Sequence, residues 1–199
     1  MPEQLWLPKL ETRSPPTDGL FFAVYPDANT AAGIAKLAQQ LCVEAQARSR
    51  VRGKPLAVDR LHVTLRHLGN FAGGLPADVV EAAKRAAALV SMAPFTVEFD
   101  AVASFAKRPR PGPVVLVGEH SVRGLHALHD ALEAGLEAGG IEPDARFTPH
   151  LTLAYGLPWI GRRPAEPVCW NVREFALMHS LLGQSRHIVL ARWPLVGQR

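Results

Sequence analysis

Apolar residues along the chain alternate between two periods. Leu20-Phe21-Phe22-Ala23-Val24-Tyr25 is a short continuous run stopped by Pro26-Asp27, which predicts a buried strand. Ile34, Leu37 and Leu41 then recur at spacings of three and four, which predicts a helix to about Arg48, capped by Asp27 or Asn29. Residues 61–68 return to a strand pattern. After Gly73-Gly74, Pro76 opens a second predicted helix with Val79, Val80, Ala83, Ala87 and Val90 on its apolar face. Residues 95–99 alternate, as a strand with one wet face does, and residues 114–117 read as a buried strand. Leu125, Leu128, Leu132 and Leu136 mark a third helix, starting near Ser121 and ended by Gly139-Gly140. Strands follow around residue 150, at about 168–177 and at 187–193.

Roughly seven strands and three helices result, with strands often adjacent in sequence. That order predicts an α+β fold with a largely antiparallel sheet. Residues 1–18 are polar and proline-rich and are expected to form an extended arm; residues 19–199 contain no sharp linker and are expected to form one domain.

Composition changes this picture little. The 199 residues are 48% hydrophobic and 20% charged with a formal net charge of +4, ordinary for a globular protein with a mild preference for anionic partners. Cys42 and Cys169 lie in apolar segments without metal-site spacing and read as reduced core residues. No apolar run reaches the ~18 residues of a membrane span, and the first residues lack a signal-peptide pattern. The expectation is a cytoplasmic monomer, away from membranes.

The chemistry is concentrated in a stretch that occurs twice. His62-Val63-Thr64-Leu65 is followed by Gly69, and His150-Leu151-Thr152-Leu153 by Gly156, with an offset of 150 − 62 = 88 positions. Successive side chains of a strand face opposite ways. His62 and Thr64 therefore share one face, as do His150 and Thr152, while Val63, Leu65, Leu151 and Leu153 turn toward a core. Two such strands meeting across a cleft would place two imidazoles and two hydroxyls together. A neutral imidazole takes a proton from water and a protonated one supplies it to a leaving oxygen, each role worth ~10²–10⁴ in rate. Threonine hydroxyls donate to oxygens that gain charge. A phosphodiester uses all four groups, with no metal or other cofactor.

These motifs, the second preceded by Phe147-Thr148-Pro149, resemble the two HxTx motifs of the 2H phosphoesterase superfamily. Within it they are most similar to the RNA 2′,3′-cyclic phosphodiesterases, also called 2′-5′ RNA ligases. The likeness runs over roughly residues 19–196, including the opening strand, Leu61 to Gly69, the Phe105 loop, Leu177-Met178-His179-Ser180 and Arg192-Trp193-Pro194-Leu195. The resemblance implies two pseudo-symmetric lobes, each an antiparallel sheet with outer helices, around a central cleft. It implies hydrolysis of a nucleoside or RNA 2′,3′-cyclic phosphate to a 2′-phosphate, with 2′-5′ ligation as the reverse reaction. By that analogy His62 is the proton donor, His150 the proton acceptor, and Thr64 and Thr152 hold phosphate oxygens. A related enzyme of a small cyclic phosphate metabolite and a non-catalytic RNA- or nucleotide-binding module are the alternatives. Retention of both histidines and both threonines speaks against the latter.

The family often has an aromatic at the position of His67 and an arginine at that of Tyr155. In regular strands both would point away from the catalytic face. The same parity puts Arg66 beside His62 and Thr64, where it can reach phosphate or simply meet water. Trp159 is a candidate for base stacking; Phe105 is a weaker one, read first as a core aromatic. Three basic loops, Arg50/Arg52/Lys54, Lys107/Arg108/Arg110 and Arg162/Arg163, can attract RNA phosphates or remain solvated. His126 and His129, three apart on a helix, read as a surface pair rather than a metal site, and His179 reads as packing.

Overall fold

Every residue of strand β1 (Asp18–Val24) is buried, as its continuous apolar run requires when both faces are covered. The computed structural model describes residues 14–105, 112–119, 121–144 and 146–197. Lys107, Arg108, Arg110 and most of the N-terminal arm lie outside the described residues. Asp18, assigned to that arm from sequence, instead opens β1. Asp27 caps α1 (Ala28–Ser49), accepting from the amides of Asn29 and Thr30 at 3.0 Å each. Ala31, Ile34, Ala38 and Leu41 form its buried stripe.

The remaining elements are β2 (Lys54–Pro55), a single 3₁₀ turn (Val58–Arg60), β3 (Val63–Phe71), α2 (Ala77–Ala88), β4 (Phe95–Ser104), β5 (Val114–Val117) and α3 (Arg123–Ala138), then β6 (His150–Tyr155), β7 (Arg163–Val172), β8 (Glu174–Leu181) and β9 (Arg186–Pro194). The strands make one sheet in the order β7-β4-β5-β6-β3-β1-β8-β9, with β2 on β6. Every pairing is antiparallel.

The sheet consists of two four-stranded halves with the motif strands innermost. β3 and β6 share a single pairing, Val63 with Leu151. A strand–helix–strand unit ends in each motif: β1–α1–β3 in one half, β5–α3–β6 in the other. The C-terminal hairpin β8–β9 returns to complete the first half. One core spans both halves, with Phe22, Phe99, Phe175 and Leu151 all fully buried beneath stripes from the three helices.

Two features depart from the sequence pattern. Residues 168–177 are not one strand: β7 ends at Val172 and β8 begins at Glu174, with only Arg173 between them. β7 and β8 stand first and seventh in the strand order, and one residue spans only ~3.5 Å, so the two halves must curve toward each other. No Gly or Pro marks this change of partners. Cys169 is not in the core: it is exposed on edge strand β7, its Sγ donating to Glu98 at 3.1 Å. Among the described residues, no helix is long and apolar enough to cross a membrane.

Candidate active site between the two halves

The Val63–Leu151 bridge sets the site. His62 and His150 each immediately precede a bridge residue. Continuing the antiparallel register by one residue in each direction sets His62 across from Thr152 and Thr64 across from His150. Each imidazole is oriented in the same way. His62 Nδ1 donates to the carbonyl of Arg60 at 2.6 Å, and His150 Nδ1 donates to the carbonyl of Thr148 at 2.8 Å. A carbonyl only accepts, so Nδ1 carries the proton in both rings and the lone pair is left on Nε2. The two acceptors are also 148 − 60 = 88 positions apart. The repeat therefore copies the orienting bond as well as the histidine.

The surroundings of the two rings differ. His62 packs against Phe21 at 5.1 Å, Tyr25 at 5.7 Å and the edge of His187 at 5.3 Å. Burial pushes its pKa down to about 4; the Arg60 carbonyl works the other way, and His187, Arg60 and His150 add smaller depressing effects. Among the described residues, His150 has one aromatic neighbour, Phe105, stacked on it at 4.3 Å and 20°. Phe105 is 45% exposed, so it is a cleft residue and not the core aromatic expected from sequence.

Among the described residues, three of the six buried polar atoms without a hydrogen-bond partner lie around His62, namely Tyr25 Oη, Arg60 Nε and His187 Nδ1; two others, Arg66 Nε and Glu133 Oε1, face each other at 3.3 Å. Each of the three around His62 belongs to a residue that touches His62 or bonds to it. An unsatisfied buried polar group costs ~1–3 kcal/mol, so three at one wall mark a site shaped for something other than stability. Burial lowers the pKa of His187, assisted by Arg60 and opposed by Asp59, and raises that of Tyr25 to about 12. Sequence reading missed Tyr25, Arg60 and His187. Only Arg60 left a signal, as the residue two before His62.

Parity holds as far as Thr64 and Thr152, then fails. Ala23 pairs with Thr64 but Phe22 pairs with Arg66, so Leu65 is the extra residue of a β-bulge. Val115 pairs with Thr152 but Val114 pairs with Ala154, so Leu153 is extra in the other half. Each bulge exchanges the faces of the residues that follow it. Arg66 turns with Leu65 toward α3. There it donates to the Glu142 carbonyl at 2.5 Å and pairs with Glu133 at 3.3 Å and Asp144 at 3.4 Å. Arg66 still lines the cavity that holds Thr64 and His150, but its guanidinium is engaged by protein groups rather than free. His67, expected to point away, instead lines a cavity of about 230 Å³ with Thr64, Phe105, Phe147 and His150. Tyr155, its repeat counterpart, is 50% exposed and lines a second cavity beside Arg60.

The structure does not bring Trp159 to the pair. Trp159 lines a separate cavity of about 420 Å³ against the C-terminal turns of α1, and none of that cavity's residues is shared with the one holding Thr64 and His150. Arg162 pairs with Glu119 and Asp100, and Arg163 with Glu44. His129 is buried rather than on the surface; it stacks on Phe147 at 4.5 Å and 2°, beneath the segment that delivers His150. His179 bonds Asp18 at 2.6 Å, a clasp that also holds Thr17 and the Gly74 amide. No group of three or more potential metal ligands occurs among the described residues.

This fold is known in solved proteins. Escherichia coli LigT, crystallised with 3′-AMP, superposes with a TM-score of 0.71 at 27% identity, over 91% of this chain and 99% of LigT. A crystal structure described as a phosphoesterase gives 0.67 at 26% identity, over 92% and 99%. The protein TT0787 of Thermus thermophilus gives 0.69 at 24% identity, over 91% and 100%, a likeness of fold. No curated protein sequence matches the chain. These superpositions define a LigT-like 2H phosphoesterase fold. A family model carries the assignment further: that of the 2′-5′ RNA ligase superfamily matches residues 26–184, and the chain belongs to that superfamily. Membership supports phosphoesterase chemistry in the broad sense.

Proposed function

We propose that the protein hydrolyses a nucleoside or RNA 2′,3′-cyclic phosphate to a 2′-phosphate, using the two histidines as a general acid–base pair and no metal. The observation that carries this reading is the pair of Nδ1-anchored imidazoles, each across from the other motif's threonine. Water attacks phosphorus in line with the departing 3′ oxygen. His150 takes the proton of the water as the new P–O bond forms. His62 supplies a proton to the 3′ oxygen as the P–O3′ bond breaks. Thr64 and Thr152 donate to the phosphoryl oxygens that gain charge. With an RNA 5′-hydroxyl in place of water, the same displacement opens the cyclic phosphate into a 2′-5′ phosphodiester, and the P–O3′ bond breaks as the 3′ oxygen takes a proton.

Burial bears on the roles. At neutral pH the free protein holds His62 neutral, whereas a donor must carry a proton. A phosphodiester anion against Nε2 favours the charged form and returns that proton. Substrate binding is therefore coupled to proton uptake. The test is turnover of a 2′,3′-cyclic nucleotide in the presence of a chelator by the parent, His62→Ala and His150→Ala proteins. Parent-like rates in a folded His150→Ala variant would refute the assignment.

A further inference from the structure

Two related helix–strand joints support the candidate site, and only one of them is polar. α1 packs on β6 and α3 on β3. The buried stripes of the two helices correspond at an offset of 91: Leu125 with Ile34, His129 with Ala38 and Leu132 with Leu41 (125 − 34, 129 − 38 and 132 − 41). At that offset Glu133 stands for Cys42 (133 − 42 = 91), and at the strand offset of 88 Arg66 stands for Ala154 (154 − 66 = 88). Ala38, Cys42 and Ala154 thus occupy the places that His129, Glu133 and Arg66 occupy in the other joint.

Glu133 is buried and joins three segments. Its Oε1 faces Arg66 Nε on β3 at 3.3 Å, and its Oε2 accepts from the Asp144 amide at 2.8 Å. His129 Nε2, one helical turn earlier, lies 3.8 Å from Oε1. Arg66 reaches the segment ahead of β6 as well, through the Glu142 carbonyl and the Asp144 carboxylate. His129 in turn stacks on Phe147. Two supports from α3, at Asp144 and at Phe147, therefore stand just before Thr148, whose carbonyl orients His150.

A buried carboxylate carries a desolvation cost that an apolar side chain does not. Burial pushes the Glu133 carboxyl up, and Arg66 and then His129 pull it down. The apolar α1–β6 joint shows that this type of contact can be made without charge. The difference matches how each histidine is held. His62 is walled by Phe21, Tyr25 and His187, whereas His150 is partly buried and, among the described residues, stacks on Phe105 alone. The orientation of His150 then depends on the backbone that carries its acceptor.

We propose that Glu133 is a positioning residue: by tying β3 to the segment ahead of β6 it fixes the Thr148 carbonyl, and through it the tautomer and orientation of the His150 ring. The proposal deepens the acid–base reading above and rests on it for what His150 does, but not for how His150 is held. Glu133 does not line the cavity of Thr64 and His150, so its removal should spare substrate affinity.

The test uses Glu133→Leu, with Leu136→Val as a core truncation on the same helix away from the network. Ring ¹⁵N shifts at alkaline pH report the tautomer of each histidine, with His150→Gln giving the assignment. In the parent both His62 and His150 should carry the proton on Nδ1. Glu133→Leu should move His150 toward the tautomer mixture of an unanchored imidazole and leave His62 unchanged. With a 2′,3′-cyclic mononucleotide, well below the melting temperature, kcat should fall about tenfold or more and KM stay within about twofold. Leu136→Val should do neither. If Glu133→Leu does not fold, Arg66→Met/Glu133→Leu, which leaves no unpaired charge of that pair, is read in the same way. A His150 that keeps its Nδ1–H tautomer in the folded variant overturns the proposal, and so does a kcat within about twofold of the parent value. Equal losses in Leu136→Val overturn it too, since they would reduce the effect to general packing. Absence of turnover in the parent, with the tautomer change intact, would sink the hydrolytic reading alone; parent turnover with an unaltered His150 tautomer would sink the positioning role alone.

Discussion

Leu65 and Leu153 are the unpaired residues of two β-bulges that occupy the same place in the two motif strands, 153 − 65 = 88 positions apart. Each bulge keeps its histidine and threonine on the cleft face and then exchanges the faces of the next two residues. That exchange brings His67 to the cavity of Thr64 and His150 and Tyr155 to the one beside Arg60, while the guanidinium of Arg66 is held by Glu133, Asp144 and the Glu142 carbonyl. Substituting His67→Ala or Tyr155→Ala is therefore expected to raise KM several-fold while kcat changes by less than about threefold, the pattern of lost uniform binding. Steady-state kinetics with an RNA end carrying a cyclic phosphate would check it. Unchanged KM in both variants would return these residues to the outer face.

Arg66→Ala is expected to act on stability. Removing one partner of a largely buried ion pair leaves Glu133 without its cation and costs on the order of 2–3 kcal/mol. The change should appear as a lower denaturant midpoint, with KM for a cyclic mononucleotide held within about twofold. A large rise in KM with stability intact would show that Arg66 reaches phosphate.

On the proposed mechanism, loss of either imidazole, His62 or His150, should lower kcat by ~10²–10⁴. His150→Ala should melt close to the parent, since His150 is only partly buried and loses one ring stack. Comparing rate with melting temperature separates the two effects. An inactive but unfolded His150→Ala protein would leave His150→Gln as the variant that decides.

The pH dependence follows from the direction of the His62 shift. Its folded pKa, about 4, lies below the usual histidine value of 6.5. Between those values the unfolded chain binds more protons than the folded one, so stability falls as pH drops from about 6.5 toward 4. The shift corresponds to at most about 3 kcal/mol. His62→Phe should flatten this part of the stability–pH curve, measured by urea unfolding at pH 4.5 and 7.5. A curve as steep as that of the parent would place the titration elsewhere.

Proton uptake is the companion measurement. Titrating a 2′-nucleotide into the protein at pH 7 in two buffers of different ionisation enthalpy should report close to one proton taken up, and His62→Phe should abolish it. Uptake of zero would mean that His62 enters the reaction neutral, and the donor and acceptor roles would exchange.

The repeated His-x-Thr motifs by themselves determined the pair of histidines and threonines, because strand alternation is local and extends unbroken from His62 to Thr64 and from His150 to Thr152. The α+β class and the helix stripes were legible for the same reason: period and end signals such as Asp27 and Gly139-Gly140 lie within a few residues of what they control. Arg66, His67 and Tyr155 were misplaced because a bulge inserts one residue without any compositional mark. The division between β7 and β8 was hidden because Arg173 changes strand partners inside a continuous β pattern. The burial of His62 against Phe21 and His187 and the stacking of Phe105 on His150 arise between residues far apart in the chain. Those relations exist only once the two halves of the sheet meet at Val63 and Leu151.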